Sequence, residues 1–406
     1  MLRPPFVLRD VIHSYIDFPD DPLGTLALDV LQTRPFQRLR RLHQLGLGRL
    51  IFPNAEHSRF SHSLGAYQLC RRIIAELDRK HLIDHVDPLD RAAVGLAAML
   101  HDLGHGILSH VSEKLWDFHH EAVTDRLIRQ HPDLRAVWER HLPPGDDFAD
   151  RIVQLRAGHD LDPERFFLHD LVSSQVDVDR MDYLLRDAYM AGVRYGGFDL
   201  DWIVRHVTVA LWHGKLRLAI EEKADDALSQ YLLARFHMYK KVYEHRTVRI
   251  YDAMLHGLMV RVRALAPAEV AAAGLAWLCE PLADDLASFV ARDDYVMWEA
   301  LKTIAAGAIA DPLARRLADD LLQDRRWDGM VCEGEAVAEA VWEGDVFRAP
   351  YKRAGFYDLA AEDEALVVGS NGVRALSEDP RVLHLAYAEP AAYIRIRPPH
   401  KAHLLV

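Results

Sequence analysis

Apolar residues recur with helical periodicity through most of the chain between residues 25 and 264. This pattern predicts helices over 26–31, 36–47, 62–77, 90–103, 110–130, 134–142, 164–172, 178–191, 200–210 and 225–264. Strand-forming runs at 6–8 and 15–18 predict a small N-terminal hairpin, and those at 365–368 and 393–397 predict C-terminal strands. We therefore expect a mainly α fold, a helical bundle with an N-terminal β-hairpin and a C-terminal α+β appendage.

Changes in composition divide the chain into three parts. The segment Pro19-Asp20-Asp21-Pro22 is a turn signal after the hairpin. Near residue 265 the sequence becomes Ala-rich, and after residue 330 it becomes acidic and irregular. We expect a hairpin region (1–24), a helical core (25–265) and a C-terminal helical and α+β region (266–406) that serves oligomerisation or regulation.

Composition narrows the class of protein. Half of the residues are hydrophobic, which supports a sizeable core. The net charge of −12 argues against a general nucleic-acid or membrane-surface partner. The cysteines, Cys70, Cys279 and Cys332, have no C-x-x-C spacing and fit a reduced compartment. With no secretory segment and no apolar run of the roughly 20 residues that span a membrane, the sequence predicts a cytoplasmic protein.

The densest group of reactive side chains follows a predicted buried helix. His101 and Asp102 come at the end of the apolar run 92–100, where a buried carboxylate requires a compensating cation. Two further ligands of the same kinds would complete a site for a first-row metal ion, and His62 and Asp179 are candidates on either side. Two imidazoles and two carboxylates suit Mn, Fe, Zn or Mg.

The next few residues predict a turn and a second helix. Gly104 and Gly106 are expected to end the first helix, and Ser109 to cap the one that follows. His110 and Glu113 would then lie one turn apart on the same helix face.

Two helical stripes extend the candidate site. Asp179, Tyr183 and Asp187 recur every four residues, so a metal ligand, a phenol and a second carboxylate would share one helix face. A second stripe combines guanidinium groups that bind phosphate with rings that stack: Arg235, Tyr239, Tyr243 and Arg246. A packed helix with salt bridges is the alternative interpretation of this second stripe.

Three motifs carry a resemblance to a known family. They are R-F-x-H-S-L-G from Arg59, H-D-x-G-H-G-x-x-S-H from His101 and D-V-D-R-x-D-Y-x-x-R-D from Asp177. In this order they resemble the HD-domain phosphohydrolases, and most of all their dNTP triphosphohydrolase (dGTPase-like) branch, over residues 6–260. The resemblance implies an HD-domain helical bundle. It also implies hydrolysis of a deoxynucleoside triphosphate to deoxynucleoside and inorganic triphosphate, by attack of water at the α-phosphorus.

The resemblance implies metal and catalytic roles for individual residues. One divalent ion, Mn, Fe, Zn or Mg with Ni or Co also open, would be held by four ligands: His62, His101, Asp102 and Asp179. His110 would transfer a proton or position the water, and Glu113 would hold its imidazole. His105 and His120 would support the catalytic pair near the phosphates.

The resemblance also implies a nucleotide pocket. The phosphates would contact Arg59 and Arg235. The sugar would pack on Tyr183, and its 3′-hydroxyl would bind Gln44 and Asp187. Close packing of a tyrosine under the sugar leaves no room for a 2′-hydroxyl, which favours deoxyribose. Three more residues complete the pocket, the last of them against the base: Arg180, Tyr239 and Tyr243.

Nucleotide-activated members of this branch form homotetramers and carry I-D-T-P-x-F-Q-R-L-R in a basic segment. The corresponding run keeps Gln37 and Arg40, the candidate site for an activating nucleotide, but Gln32 replaces the acidic residue that recognises guanine. The sequence thus argues against GTP and leaves a dNTP activator open. The basic stretch 34–49 has no acidic residue, and it either faces phosphates or pairs with carboxylates elsewhere. We expect a homodimer or homotetramer.

Two other functions stay open at this point. One is an HD phosphohydrolase for other nucleotides, such as 5′-nucleotides, alarmones or cyclic dinucleotides. The other is a non-catalytic regulator that binds nucleotides. Because every candidate metal ligand and the catalytic pair are present, we expect an enzyme whose partner is a dNTP rather than nucleic acid or a membrane.

Overall fold

The computed structural model describes residues 2–333, 339–351, 365–370, 372–378 and 392–399. The fold is mainly α, as the hydrophobic periodicity predicts. The helices are α1 Pro22–Leu31, α2 Arg34–Arg38, α3 Arg59–Arg79, α4 Pro88–Leu100, α5 His110–Trp116, α6 His120–Gln130, α7 Pro132–His141, α8 Phe148–Ala157, α9 Phe166–Val172, α10 Val178–Ala191, α11 Leu200–Arg205, α12 Asp225–Met238, α13 Arg246–Arg263, α14 Pro267–Ala272, α15 Leu286–Ala291, α16 Asp294–Ala305 and α17 Pro312–Leu322.

The strands form three small sheets. They are β1 Phe6–Asp10, β2 Ser14–Phe18, β3 Val207–Trp212, β4 Lys215–Glu221, β5 Asp328–Glu333, β6 Val341–Glu343, β7 Val346–Tyr351, β8 Leu366–Gly369, β9 Gly372–Ala375 and β10 Ala392–Arg397. β1 and β2 make the predicted N-terminal hairpin. The other two sheets have the orders β3-β4-β8-β9 and β5-β10-β7-β6. In these, β10 is antiparallel to both of its neighbours, and β8 runs parallel to β4.

Three packed helices, α3, α4 and α10, bring their ends together. α4 begins with Pro88 in its first turn, and the Asp87 carboxylate caps it by accepting the Leu89 N–H. α10 is capped in the same way, because the Asp177 carboxylate accepts the Arg180 N–H. α3 packs against both α4 and α10. The C-terminus of α4 therefore meets the N-termini of α3 and α10.

The C-terminal region packs directly on the helical core. Buried side chains from both sides of residue 265, among them Met259, Phe289, Leu301 and Trp327, belong to one continuous apolar cluster. α13 packs against α17 and against strand β10. Residues far along the chain can therefore support the centre of the bundle. No helix in the described ranges is long and apolar enough to cross a membrane.

The helix predicted over 200–210 is wrong in its second half. α11 ends at Arg205, and β3 and β4 follow as an antiparallel hairpin. The β-branched residues of β3 favour a strand. His213 and Gly214 both have positive φ, at 47° and 77°, as the two-residue turn of a hairpin requires.

Other predicted elements are present but divided differently. The single helix predicted over 110–130 is two helices, because Asp117 adopts a left-handed conformation at φ 49°. The long helix predicted over 225–264 is interrupted by a π-helical turn at Tyr239–Tyr243. The helix predicted over 36–47 ends early in a 3₁₀ turn, and α8 was not predicted.

Most arginines of the basic stretch 34–49 bind other groups of the same chain. Arg34 binds Asp133 at 2.6 Å, and Arg49 binds Glu56 at 3.0 Å. The buried Arg38 donates to the backbone oxygen of His105 at 2.7 Å. These contacts support the paired helix face, the second of the two interpretations of this stretch.

Candidate metal centre and active site

The four candidate metal ligands meet where the three helices end. His62 lies in the first turn of α3 and Asp179 in the first turn of α10. His101 and Asp102 follow directly after the last residue of α4. Each ligand therefore lies within one turn of a helix end, and the helix boundaries determine where it lies in the fold.

The ligand atoms of His62, His101 and Asp102 lie close enough together to share one ion, and Asp179 lies beside both imidazoles. His62 Nε2 lies 2.9 Å from Asp179 Oδ1 and 3.2 Å from His101 Nε2. His101 Nε2 lies 3.2 Å from Asp102 Oδ1 and 3.3 Å from Asp179 Oδ1. Ligands that bind a first-row ion at about 2.0–2.2 Å are separated by about 3 Å from one another.

The hydrogen bonds of the two imidazoles favour a cation between them. His62 Nδ1 faces the Asp182 carboxylate at 2.8 Å, and His101 Nδ1 faces the backbone oxygen of Ala98 at 2.8 Å. Both partners only accept, so each Nδ1 carries a proton and each Nε2 presents a lone pair. Two such lone pairs at 3.2 Å, beside carboxylate oxygens, repel unless a proton or a metal cation lies between them. The residues therefore fit a divalent metal.

The charge around His62 leads to the same conclusion. Burial lowers the pKa of His62, but its hydrogen bonds and charge interactions with Asp179 and Asp182 raise that pKa to about 10. The same negative surroundings that would hold a proton on this buried imidazole attract a metal cation.

A buried network behind His62 was not predicted from the sequence. Arg186 donates to both oxygens of Asp182 at 2.8 Å and also binds Asp10 at 2.7 Å. His13, in the turn of the N-terminal hairpin, contacts Asp182 at 2.8 Å. The spacing of Asp182 and Arg186 by four residues within the D-V-D-R motif was a signal for this pair. Nothing local in the sequence indicates that the hairpin reaches it.

A second cluster of histidines surrounds Glu113. The Glu113 carboxylate accepts from His110 Nδ1 at 2.7 Å and from His120 Nδ1 at 3.0 Å. Burial alone would raise the pKa of Glu113, but these two hydrogen bonds hold that pKa well below its usual range. The His105 ring stacks on His120 at 3.9 Å between centroids. Because both Nδ1 atoms donate to the carboxylate, each of these imidazoles keeps its Nε2 free of Glu113.

His110 is the exposed member of this cluster. Its side chain is 69% exposed, whereas the His105 side chain is buried and contacts Asp102 Oδ1 at 3.1 Å. Burial, together with the nearby charge of Arg59, lowers the pKa of His105.

Ser109 makes no side-chain cap for α5, so the expectation that it caps this helix is wrong. Its hydroxyl instead donates to the backbone oxygen of His43 at 2.9 Å.

One cavity of about 670 Å³ joins the two clusters. The predicted residues that line it are Gln44, Arg59, His62, His101, Asp102, His105, His110, His120, Asp179, Arg180, Tyr183, Asp187, Tyr239 and Tyr243. Its volume lies within the range of ordinary ligand pockets, about 300–1,000 Å³. The stripe of Asp179, Tyr183 and Asp187 faces the cavity along α10.

Two arginines predicted to bind substrate already make hydrogen bonds or ion pairs with other groups of the protein. Arg59 donates to Asp102 at 2.6 Å and to Ser109 at 3.1 Å. Arg180 donates to the backbone oxygen of Ser174 at 2.6 Å and also pairs with Asp177. Both arginines nevertheless line the cavity, so each could contact a bound anion while keeping its protein partner.

The residues predicted to bind the sugar include a free acceptor and a hydrogen-bonded carboxylate. Among the described residues, Gln44 Oε1 is buried without a hydrogen-bond partner. Asp187 binds His57 Nε2 at 2.7 Å and accepts from Tyr243 at 2.9 Å. The contact of His57 with Asp187 was not predicted from the sequence. Tyr183 meets Tyr243 edge to face at 5.8 Å between centroids.

Five predicted residues are absent from the described lining of the cavity: Gln37, Arg40, Glu113, Arg235 and Arg246. Glu113 lies behind His110 and His120, as its hydrogen bonds require. Arg235 is buried and donates to Gln175 at 2.9 Å. Arg40 donates to Gln37 at 2.9 Å and its guanidinium lies 3.5 Å from the centre of the Phe60 ring. The roles of Arg235, Gln37 and Arg40 stay predictions.

The far end of the cavity contains polar residues that were not predicted. Arg249 lies between Glu244 and Asp252, with contacts of 2.6 Å and 3.1 Å. Burial raises the pKa of Asp252, although Arg249 opposes the shift. Burial lowers the pKa of His256 to about 4, aided by the positive charge of nearby basic residues. The C-terminal strands complete this wall through Ala349, Pro350 and Ile394.

Comparison with known proteins identifies the region that contains the site. The family model described as "HD domain" matches residues 59–187. An uncharacterized protein of Bacillus subtilis, YwfO, is 37% identical over 261 residues, which cover 64% of this chain and 56% of the relative. The human deoxynucleoside triphosphate triphosphohydrolase SAMHD1 is 29% identical over 277 residues, 61% of this chain and 43% of the relative. The chain thus spans about half the length of these relatives.

A solved structure resembles the whole fold. A phosphohydrolase from Bacteroides thetaiotaomicron superposes with a TM-score of 0.80 at 25% sequence identity. The match covers 97% of this chain and all of that one. The C-terminal sheets and helices are therefore part of a fold that extends beyond the matched HD segment.

Proposed function

We propose that this chain, whose residues 59–187 match the HD-domain model, is a metal-dependent phosphohydrolase that cleaves dNTPs to deoxynucleoside and inorganic triphosphate. The observation that carries the proposal is the position of His110, whose imidazole faces the same cavity as the four clustered metal ligands. A nucleotide in this cavity would have its phosphates between the metal ligands and the Glu113 cluster.

The metal would be held by the four ligands described above. Two imidazole nitrogens and two carboxylate oxygens suit Mn, Fe, Zn or Mg, with Ni and Co as further candidates, and we propose Mn as the first ion to test. When bound, such an ion polarises phosphate oxygens and lowers the pKa of water. Asp182 keeps His62 in the tautomer that binds metal.

His110 would handle the proton of the reaction. Water attacks the α-phosphorus, the bond between phosphorus and the 5′-oxygen breaks, and the leaving oxygen takes up a proton. Because His110 Nδ1 donates to Glu113, its Nε2 is left to exchange a proton with the water or with the leaving oxygen. Glu113 holds the ring in place and stabilises its protonated form. His105 and His120 flank this pair.

The remaining pocket residues support a deoxynucleotide. Arg59 and Arg180 supply positive charge for the phosphates, with Arg235 beside them in the resemblance. Gln44 Oε1 offers a free acceptor for the 3′-hydroxyl beside Asp187. Tyr183, Tyr239 and Tyr243 would pack against the sugar and base. A sugar held close to Tyr183 would exclude a 2′-hydroxyl and so select against ribose.

The direct test is a product assay. The protein is incubated with Mn²⁺ and each of the four dNTPs, and deoxynucleoside and inorganic triphosphate are quantified. Equal amounts of these products support the proposal, whereas monophosphate with pyrophosphate, or no turnover, rejects it. Turnover of monophosphates, alarmones or cyclic dinucleotides would instead support another HD phosphohydrolase activity.

A variant separates catalysis from binding. His110→Ala should lower kcat by about 10²- to 10⁴-fold, the usual contribution of a general acid or base. Bound metal, measured by mass spectrometry, should stay unchanged because His110 is not among the four ligands. Full turnover by this variant would remove the role proposed for His110.

We also propose a cytoplasmic homo-oligomer, a dimer or tetramer, that a dNTP activates. Gln37 and Arg40 are the candidate contacts for that nucleotide, and region 266–406 is the candidate for oligomerisation or regulation. Light scattering with and without dNTP mixtures tests the assembly. Rates with single and mixed dNTPs test the activation, since an activator that is not itself a good substrate raises the turnover of a second dNTP.

A further inference from the structure

The segment that leads to His110 has a backbone that its side chains do not favour. Leu108 and Ser109 both have positive φ, at 56° and 60°. A positive φ is costly for residues other than glycine, and most of all for a bulky side chain. Such a conformation persists only where surrounding contacts hold it. His110 is the next residue, so whatever holds 108–109 also sets where its imidazole lies.

Asp294, at the start of α16, provides such contacts. Its side chain is fully buried, and Oδ1 accepts the Leu108 backbone N–H at 2.7 Å. Oδ2 accepts the His43 backbone N–H at 2.8 Å and faces His43 Nδ1 at 2.7 Å. One carboxylate therefore joins two loops that are far apart in sequence.

Both of these loops line the cavity. Gln44, which follows His43, lines the cavity, and so do residues 108–110. The two loops also touch directly, because the Ser109 hydroxyl donates to the His43 oxygen at 2.9 Å. At Gly46 a Cβ atom would lie 2.9 Å from the Leu108 oxygen, so the loops pack without spare room.

We propose that Asp294 is a positioning residue for the hydrolytic reaction. It lies outside the matched HD segment, 59–187, and it fixes His110 and Gln44 relative to each other and to the metal ligands. The inference rests on the proposed function. It assigns a task to the region after residue 265, which holds the strained loop in the conformation the reaction needs.

The chemistry of the contact requires a carboxylate. All three partners of Asp294 are N–H groups, and a carboxylate accepts from each of them. An asparagine would turn one oxygen into an NH₂ that points at a donor. The loop would then lose a hydrogen bond and gain a repulsion without a change in side-chain size.

The neighbouring Asp293 provides a matched control. It caps α16 by accepting the Tyr295 N–H at 3.1 Å and pairs with Arg41, and within the described part of the chain its hydrogen bonds and ion pair involve none of residues 108–110. Asparagine is also a good N-cap residue, so Asp293→Asn preserves the helix start. Of the two variants, only Asp294→Asn alters the contacts with Leu108 and His43.

The experiment compares Asp294→Asn, Asp294→Glu and Asp293→Asn with the wild-type protein. Asp294→Asn should lower kcat at least tenfold for a dNTP, with KM and bound metal within twofold. Hydrogen exchange should become faster in peptides covering 105–116 and stay unchanged over 63–79. Asp294→Glu keeps the charge and should retain more kcat than the asparagine variant. Asp293→Asn should keep kcat within threefold.

Unchanged kcat and unchanged exchange in both Asp294 variants would overturn the proposal. So would faster exchange throughout the chain with loss of metal, because that is a general structural role. If Asp294→Asn does not fold, Asp294→Glu is judged by the same criteria. If the wild-type protein hydrolyses no dNTP, the proposed function fails, and the exchange measurement still decides whether Asp294 holds the loop.

Discussion

At the scale of single residues, the tautomers of His62 and His101 are the strongest indication of a metal site. Each Nδ1 is tied to a group that only accepts, Asp182 for one ring and Ala98 for the other. Both Nε2 atoms are thereby committed to the same small volume. A metal site is thus recognisable from hydrogen bonds as well as from the identities of its ligands.

Asp182 offers a test of this arrangement. Asp182→Asn should weaken metal binding by about 10- to 100-fold, as expected when a partner behind a metal-binding histidine is altered. Metal affinity is measured by competition with a chelator of known strength. Asp201→Asn, a change at an exposed carboxylate on the surface, should leave the affinity unchanged. Equal affinities for both variants would contradict the role of Asp182.

Glu113 predicts a dependence of stability on pH. Its pKa in the folded protein lies below the ordinary value of 4.5, so folding favours the ionised form. This stabilisation is fully present above pH 4.5 and is lost as the pH falls below it. The difference in unfolding free energy between wild type and Glu113→Gln should therefore shrink on acidification. Glu139→Gln, at an exposed position, should show a small difference at every pH.

At the scale of elements, the site depends on where helices stop and on how closely they pack. α3 carries Gly65 at the point where it crosses α10. A Cβ atom on Gly65 would lie 1.9 Å from Asp182 Oδ1 and 2.2 Å from an Arg186 nitrogen. The glycine is needed so that the buried pair behind His62 fits against the helix.

We expect Gly65→Ala to lower the stability of the protein, whereas an alanine in place of a helical glycine usually raises it. An alanine in a helix interior normally stabilises by about 0.5–1 kcal/mol relative to glycine. Here overpacking should destabilise the protein by about 1–3 kcal/mol and lower metal affinity. Gly95→Ala in α4 is the control, since its Cβ would make an ordinary contact of 3.5 Å with Tyr67. Chemical unfolding measures both variants, and similar effects of the two would contradict the packing argument.

At the scale of the whole molecule, the active-site cavity is assembled from the entire length of the chain. The N-terminal hairpin contacts Asp182, the central helices carry the candidate metal ligands, and Asp294 accepts a hydrogen bond from the loop that precedes His110. Strands β7 and β10 close the far end of the cavity. Binding at the metal centre should therefore stabilise the protein globally.

Removal of the metal tests this expectation. Chelation should abolish hydrolysis and lower the melting temperature, because the carboxylates of the centre are left without a compensating cation. A metal at 100 times its dissociation constant stabilises a protein by about 2.7 kcal/mol. Calorimetry with chelator, and again after Mn²⁺ is restored, measures the effect. An unchanged melting temperature after removal of the metal would contradict this expectation.

Local sequence was sufficient to predict much of the secondary structure of this protein. Apolar periodicity predicted the helical class, and it predicted helices with His62, His101 and Asp179 at or near their ends. Errors came where a local turn interrupts a periodic run, as at Asp117, or where β-branched residues follow a helix, as in β3. These signals act over a few residues, which is why a linear pattern contains them.

Only the tertiary structure decided which distant groups support the site. Asp182 and His13 are 169 residues apart, and Leu108 and Asp294 are 186 apart, yet each pair is joined by a buried hydrogen bond. The paired arginines of the basic stretch and the engagement of Arg235 by Gln175 were also settled by packing. A buried polar group takes whichever partner the fold brings within reach, and no periodicity along the chain specifies that partner.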